Sequence, residues 1–201
     1  MQHLIKKHVL NGEFELVRQL MSETDFMEFE EAYISSAHEV ESMMFYTCIL
    51  DMIKVEESSE LHDLAFLLLV YPLSEYEGAL DSAYYHADSS IKLTDGNEVK
   101  SLLQMLLLHA IPEPVISDKK AFDVAKRILK LDPSNNVARN VLKDTAKRMD
   151  NVVVDINELN NQITAHVKAI RQACQIIVRP LLRPPRSRPR GAGPPVRSPR
   201  R

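Results

Sequence analysis

Residues 83–93 read AYYHADSSIKL, and residues 121–131 read AFDVAKRILKL. Both stretches carry an alanine, a second alanine four residues later and an aliphatic-Lys-Leu ending, and they lie 38 residues apart. Another 38 residues upstream, residues 45–55 keep this spacing with bulkier side chains. Positions four residues apart fall on one face of an α-helix, and the alternation with a period of two that is typical of strands is absent. The pattern predicts three equivalent helices.

Each of these helices is followed by a polar turn and a second helix. The turns are residues 56–59, 94–97 and 132–135, and each offers polar side chains that can cap the next helix. One helical hairpin cannot bury its apolar face alone, whereas three stacked hairpins can. The sequence therefore predicts an all-α fold, a right-handed stack of helical hairpins with a helical cap at each end.

The predicted domain spans residues 1–160 of the 201-residue chain. Its hairpin units lie near residues 42–79, 80–117 and 118–150, and residues 161–178 form a possible last helix. The chain has only five glycines, which disfavours phosphate-cradling loops and nucleotide-binding turns.

The helices predicted at residues 83–93 and 121–131 resemble the second helix of a tetratricopeptide repeat. Ala121, Ala125 and Pro133 match the small residues and the terminal proline of the family, and Ala83 and Ala87 match in the preceding unit. The chain departs from the family in its 38-residue spacing, where the family has 34, and in lacking the family's first-helix tryptophan, Leu-Gly pair and tyrosine. The resemblance covers roughly residues 40–145. It implies a scaffold that binds proteins, without catalytic chemistry.

A narrower resemblance covers residues 62–87 together with the Leu-Asp-Pro-Ser-Asn turn at residues 131–135. These segments are similar to small helical proteins of Bacillus-type bacteria, some of which are immunity proteins encoded beside secreted polymorphic toxins. The resemblance implies neutralisation of a cognate toxin by stoichiometric binding.

The formal net charge of −3 averages over two unlike parts of the chain. Residues 179–201 hold eight Arg and seven Pro, whereas residues 1–178 hold 17 basic and 28 acidic residues, a net charge of −11. The Arg/Pro segment has too few apolar residues to fold alone, no aromatic residue to stack on bases and no Pro-x-x-Pro spacing. Its abrupt switch to residues with GC-rich codons leads us to interpret it as a disordered, non-native tail.

The acidic body is expected to attract basic proteins and to repel nucleic acid and anionic membranes. The tyrosines at positions 84 and 85 lie between alanines that face inward, so one of them should face outward, where it favours partner binding. A run of acids on a solvated helix face is the alternative interpretation. The candidate partner-binding residues are Glu28, Glu30, Glu31, Glu39, Glu41, Tyr84, Tyr85 and His86.

No motif in the sequence predicts catalysis. The seven histidines are dispersed without a His-x3-His pair, and neither cysteine has a nearby partner. His62 with Asp63, and His86 beside two tyrosines, are candidate acid–base groups, but no nucleophile or glycine-rich oxyanion loop accompanies them. We therefore expect a surface or helix-lining role for both histidines and a core position for Cys48. No enzyme activity, metal or cofactor is expected.

No targeting or membrane segment is predicted. The N-terminal residues have charges within their apolar pattern, unlike a signal peptide. The longest apolar run, at residues 64–73, covers about half of a bilayer span. Two widely separated cysteines suit a reducing compartment, so the expected location is cytoplasmic.

The expected function is a protein–protein interaction module. Its most specific form is an immunity protein that neutralises a basic toxin domain, such as a nuclease, through the acidic face. A regulatory or chaperone-type scaffold that holds a peptide in its groove is the alternative. The first predicts sensitivity to charge reversal at Glu28, Glu30 and Glu31, and the second predicts sensitivity in the groove.

Overall fold

The computed structural model describes residues 1–150 and, beyond them, Lys168 alone. The possible last helix at residues 161–178 lies outside the described residues apart from that lysine, and the tail at residues 179–201 lies outside them entirely. Residues 1–150 contain helices and no strand. The prediction of an all-α fold is confirmed.

Nine helices follow one another in residues 1–150. They are α1 (Gln2–Leu10), α2 (Phe14–Ser22), α3 (Phe26–Val40), α4 (Met43–Val55), α5 (Ser59–Val70), α6 (Ala79–Leu93), α7 (Val99–Ala110), α8 (Asp118–Leu131) and α9 (residues 136–150). From α4 to α8, each helix packs against the next one in the sequence. The predicted helical stack is confirmed, whereas its right-handed sense and its kinship with tetratricopeptide repeats stay predictions.

The first three helices cover the N-terminal end of this stack. α1 packs against α2, α3 and α4, and α3 also contacts α5. Asp25 begins α3, because its carboxylate accepts hydrogen bonds from two backbone amides of the first turn. The core beneath is aromatic: the rings of Phe29, Tyr33 and Phe45 pack in series, and the Tyr33 hydroxyl donates to the Phe45 carbonyl oxygen at 2.8 Å.

The helices that carry the repeated pattern end at regular intervals. α4, α6 and α8 end at Val55, Leu93 and Leu131, which are 38 residues apart. Ser58 caps α5 and Asn135 caps α9, since their side-chain oxygens accept backbone N–H groups at 3.3 and 3.0 Å. The first and last turns therefore supply caps, as predicted.

The middle turn, residues 94–97, does not supply the predicted cap. α7 begins after Glu98, and no side chain of residues 1–150 accepts a hydrogen bond from a backbone N–H group at its start. The Thr94 hydroxyl is engaged with the preceding helix, where it donates to a carbonyl oxygen of the last turn of α6 at 2.9 Å. Asp95 and Gly96 then adopt positive φ angles of 51° and 60°. This left-handed turn moves the start of α7 beyond the polar residues that were expected to cap it.

Small residues let the later helices approach one another closely. Ala83 and Ala87 of α6, and Ala121 and Ala125 of α8, have no exposed surface. They are the alanines that define the sequence pattern, and they belong to one apolar cluster with residues of α5 and α7. Larger side chains would find no free volume there, because protein interiors are close-packed.

Replacing one of these alanines should destabilise the fold. Ala87→Leu is expected to lower the free energy of unfolding by about 1–3 kcal/mol, because three extra carbon atoms must enter a packed interface. Ala110→Leu, at the exposed last residue of α7, should change it by about 0.5 kcal/mol or less. Urea unfolding followed by circular dichroism measures both, and equal effects would contradict the close approach of α6.

Candidate functional site

A broad groove lies between α2, the start of α3 and the turn that joins α4 to α5. Its cavity volume is about 710 Å³. The apolar lining consists of Met21, Phe26, Met52, Val55 and Leu61, and the polar lining of Glu15, Arg18, Gln19, Ser22, Glu56, Ser58 and Glu60. We call this concavity the α2–α4 groove.

The apolar lining suits an apolar side chain from another molecule. Val55 is 64% exposed at the end of α4, whereas Met52 and Leu61 beside it are buried. Met21 and Met52 contribute unbranched, polarizable side chains that adapt to different occupants. Exposed apolar surface with a polar rim is typical of a protein-binding site.

The rim of the groove is acidic. Glu15, Glu56 and Glu60 are exposed, and the guanidinium of Arg18 is already bound by the carboxylates of Glu15 and Asp51. The backbone N–H of Glu60, at the start of α5, lowers the pKa of its carboxyl group. The carboxyl group of Glu60 is therefore ionised at neutral pH, and the acidic rim favours a cationic occupant.

The predicted acidic residues of α3 lie on different sides of that helix. Glu28 and Glu31 line a cavity of about 350 Å³ beside the first residues of α1. Glu39 is also next to α1, where it accepts a hydrogen bond from the Lys6 ammonium at 2.7 Å. Glu30 instead projects toward α7, because it lies about half a turn around the helix from Glu28 and Glu39. The structure does not bring these four acids into one face.

Two of the predicted partner-binding acids already form ion pairs within the chain. Glu30 is 3.0 Å from the ammonium of Lys100, and Glu39 is paired with Lys6. Glu41 follows α3 with a φ angle of 49°, and its carbonyl oxygen accepts a hydrogen bond from the Tyr76 hydroxyl. The acids of α3 are therefore partly neutralised within the chain.

The Tyr-Tyr-His stretch at the centre of α6 divides between surface and interior. Tyr85 is 59% exposed, as predicted for one of the two tyrosines. Tyr84 is half-buried, and the ammonium of Lys120 lies 5.9 Å from its ring centroid. His86 has no exposed surface, so its predicted role as a direct partner contact is wrong. It shares the buried face with Ala83, three residues earlier.

His86 belongs to a hydrogen-bonded relay inside the protein. Its Nδ1 lies 2.8 Å from Nδ1 of His62, which is also fully buried. His62 Nε2 lies 2.9 Å from Oε1 of Glu57, and His86 Nε2 lies 2.9 Å from the hydroxyl of Tyr46. The relay thus runs from an exposed carboxylate through two buried imidazoles to a half-buried phenol.

Only one arrangement of protons satisfies the relay when both imidazoles are neutral and Glu57 is ionised. His62 then donates from Nε2 to Glu57 and accepts at Nδ1 from His86. His86 accepts at Nε2 from the Tyr46 hydroxyl. Burial, and then the charge of His62, lower the pKa of His86 to about 4, so that its neutral form predominates at pH 7.

Asp63, the neighbour of His62 in sequence, faces α7. Its carboxylate accepts a hydrogen bond from the Ser101 hydroxyl at 3.4 Å and lies 3.9 Å from the ammonium of Lys100. Burial raises the pKa of this carboxyl to about 6, although a hydrogen bond from Ser90 and the charge of Lys100 oppose the shift. α5 therefore carries an imidazole and a carboxyl group into the interior side by side.

Neither a reactive thiolate nor a metal-binding group is found in the part of the chain that the structure describes. Cys48 is buried as predicted, and burial raises the pKa of its thiol to about 11, so it is not a reactive thiolate. Within residues 1–150 no three or more His, Cys, Asp or Glu residues are grouped to hold a metal ion. In the same part of the chain, no helix combines the length and apolar character needed to cross a membrane.

Sequence reasoning missed the α2–α4 groove and the histidine relay. The groove residues come from two separate segments, and none of them carries a motif. A signal for the relay was present, since His62 interrupts an otherwise apolar stretch and a buried polar side chain needs a hydrogen-bond partner. Its partner in α6, 24 residues away, depended on how the two helices pack.

Comparisons of the chain with protein families, with curated proteins and with solved structures found no matching family model, no matching protein and no matching structure. The geometry of residues 1–150 therefore carries the functional argument.

Asp63→Asn should make stability depend more steeply on pH. The pKa of His86 falls from 6.5 to about 4 on folding, so its contribution to stability is lost as the pH falls through this interval. The pKa of Asp63 rises from 3.8 to about 6, so its contribution is lost as the pH rises. The two effects, each about 3 kcal/mol at most, oppose each other. Asp63→Asn removes the aspartate contribution, so the pH dependence of stability then follows the histidine contribution without opposition.

Urea unfolding at about pH 4.5 and pH 6.5 measures this difference. The variant should gain more stability than the native chain between the two values. Asp123→Asn, at an exposed position of α8, is the matched control and should keep the native pH dependence. An identical pH dependence in all three proteins would contradict the opposed shifts.

Proposed function

We propose that this chain is a protein-binding module that holds a basic, amphipathic segment of a partner protein in the α2–α4 groove. The observation that carries the proposal is one concavity that combines an apolar lining, exposed at Val55, with a rim of carboxylates. The lining supports burial of apolar side chains from the partner, and the rim supports pairing with its lysines or arginines.

The groove is a better candidate than the acids of α3. A partner that binds Glu30 or Glu39 has to displace a lysine of the chain itself, and that exchange of one ion pair for another gains little. In the groove, Arg18 is the only basic group that residues 1–150 contribute to the lining, and it leaves Glu56 and Glu60 to a partner. The net charge of −11 over residues 1–178 adds long-range attraction for a basic protein.

The predicted immunity role is one form of this function. In that form the segment in the groove belongs to a basic toxin domain, and its occlusion inactivates the toxin. The regulatory or chaperone-type scaffold is the other form, in which the bound segment is a peptide that the chain only holds. Both use the same groove, and they differ in what happens to the partner's activity.

Val55→Glu should reduce partner binding by at least about tenfold, because it places a carboxylate within the apolar lining. The full chain serves as bait for a lysate and secretome of the source cell, and mass spectrometry identifies retained proteins. Val137→Glu is the matched control, since Val137 is similarly exposed at 56% and lies on α9. A basic protein that the native chain and the control retain, and Val55→Glu loses, is the expected result.

A synthetic helix with one leucine face and one lysine face provides a direct probe. Fluorescence anisotropy should show that it binds the native chain and the Val137→Glu control, and binds Val55→Glu weakly. Glu56→Lys should weaken its binding and reduce the dependence on salt, whereas Glu28→Lys with Glu31→Lys should leave binding unchanged. If the α3 pair abolishes binding and Val55→Glu does not, the groove is the wrong site.

The two forms of the function are separated by the activity of the captured protein. A toxin should harm cells when it is expressed alone and be harmless with the native chain, but not with Val55→Glu. A partner whose activity is the same with and without the chain would contradict the immunity form and leave the scaffold form.

A further inference from the structure

The buried histidine pair is connected to the wall of the α2–α4 groove. Glu57, the hydrogen-bond partner of His62, lies in the α4–α5 turn between Glu56 and Ser58, which both line the groove. At the other end of the relay, His86 of α6 contacts Tyr46 of α4. Three hydrogen bonds thus tie the groove wall to α5, α6 and α4.

The relay accommodates one added proton without losing a contact. If His62 takes the proton, it donates from Nε2 to Glu57 and from Nδ1 to His86. His86 then keeps its own proton on Nε2 and donates it to the hydroxyl oxygen of Tyr46. All three hydrogen bonds persist, with the new positive charge beside the Glu57 carboxylate.

A second added proton cannot be accommodated in this way. Both imidazoles then carry a proton on Nδ1, and these two nitrogens lie 2.8 Å apart. Two N–H donors that face each other at this distance have no acceptor between them, and both rings are positively charged. The contact between α5 and α6 has to open.

We propose that the His62–His86 contact is a proton-controlled latch on the α2–α4 groove. Double protonation drives His62 of α5 and His86 of α6 apart, and this movement shifts the α4–α5 turn, which stays paired with His62 through Glu57. The latch itself is independent of what the groove binds. Its consequence, release of a partner in acid, rests on the proposed function.

Among the described residues, the carboxylate that faces the histidine pair is that of Glu57. The side chains that face the pair are Tyr46 of α4, Glu57 of the α4–α5 turn, and Tyr85 of α6, whose ring centroid is 6.2 Å from that of His62 and 5.1 Å from that of His86. Three charged groups of the neighbouring elements, Glu30 of α3, Glu98 directly before α7 and Lys100 of α7, lie near Asp63 instead. One carboxylate therefore balances one added charge.

Burial and the charge of the first proton set the range in which the latch opens. They lower the pKa of His86 to about 4. The latch is therefore closed at neutral pH, and its open form grows as the pH falls below about 5.

Hydrogen–deuterium exchange of the full chain without a partner tests the latch. Mass spectrometry would follow peptides covering residues 55–62 and 82–88, with the rates expressed as protection factors to remove the intrinsic effect of pH. Between about pH 7 and pH 4.5, protection in these peptides should fall by about tenfold or more relative to α1. A native chain that shows no such fall, or an equal fall in α1, overturns the proposal.

His86→Gln keeps a hydrogen-bonding side chain that cannot take the second proton. This variant should keep its protection in acid, and His62→Gln should do the same if the first variant does not fold. His109→Gln is the matched control, since His109 pairs with Asp118 away from the relay, and it should respond like the native chain. An unchanged fall in a folded relay variant overturns the latch.

Two further measurements distinguish failure of the latch from failure of the proposed function. In the native chain, 15N NMR should measure the pH at which each imidazole of the His62–His86 pair takes up its proton. The midpoint of the fall in protection should coincide with one of these pH values, and a midpoint that matches neither ring overturns the latch. The leucine–lysine peptide should dissociate in acid from the native chain and not from His86→Gln. If the peptide never binds while the acid response of the turn is present, the proposed function fails and the latch stands.

Discussion

The rest of the structure depends on the burial of α5, a helix that has no solvated face. Eight of its 12 residues are buried, and α3, α4, α6 and α7 all pack against it. Two of the buried residues are His62 and Asp63. A buried imidazole or carboxyl group without hydrogen bonds costs several kcal/mol, so the surrounding helices must supply partners. The need for these hydrogen-bond partners, together with apolar packing, specifies which faces of α6 and α7 turn inward.

The polar groups of α5 also explain why neighbouring elements adopt their positions. His62 needs Glu57 from the turn before it and His86 from α6, while Asp63 needs Ser101 from α7. An apolar pair of helices can slide by one turn with little change in buried area, but these hydrogen bonds are made in one register alone. The small alanines of α6 then allow the close approach that the 2.8 Å contact requires.

Local patterns in the sequence predicted the helices, whereas the middle cap, the burial of His86 and the groove depend on how the chain packs in three dimensions. The pattern repeated every 38 residues located the ends of α4, α6 and α8, because helix periodicity is a local property. The cap in residues 94–97 was mispredicted because Asp95 and Gly96 form a left-handed turn. His86 was assigned to the surface, although its position three residues after Ala83 places it on the buried stripe. The groove needs four elements in contact, and no single segment encodes it.

The distribution of charge, more than its sum, determines what the molecule can bind. A net charge of −11 over residues 1–178 attracts any basic protein at long range, and that attraction is screened beyond about 8 Å at physiological salt. On α3 the chain's own lysines use part of this charge, whereas the rim of the α2–α4 groove keeps carboxylates beside apolar side chains. Selectivity among basic partners must then come from the apolar lining, because surface charge alone discriminates poorly. Val55, the exposed residue of that lining, lies directly before the α4–α5 turn, so a relay that holds the turn also controls the selective part of the surface.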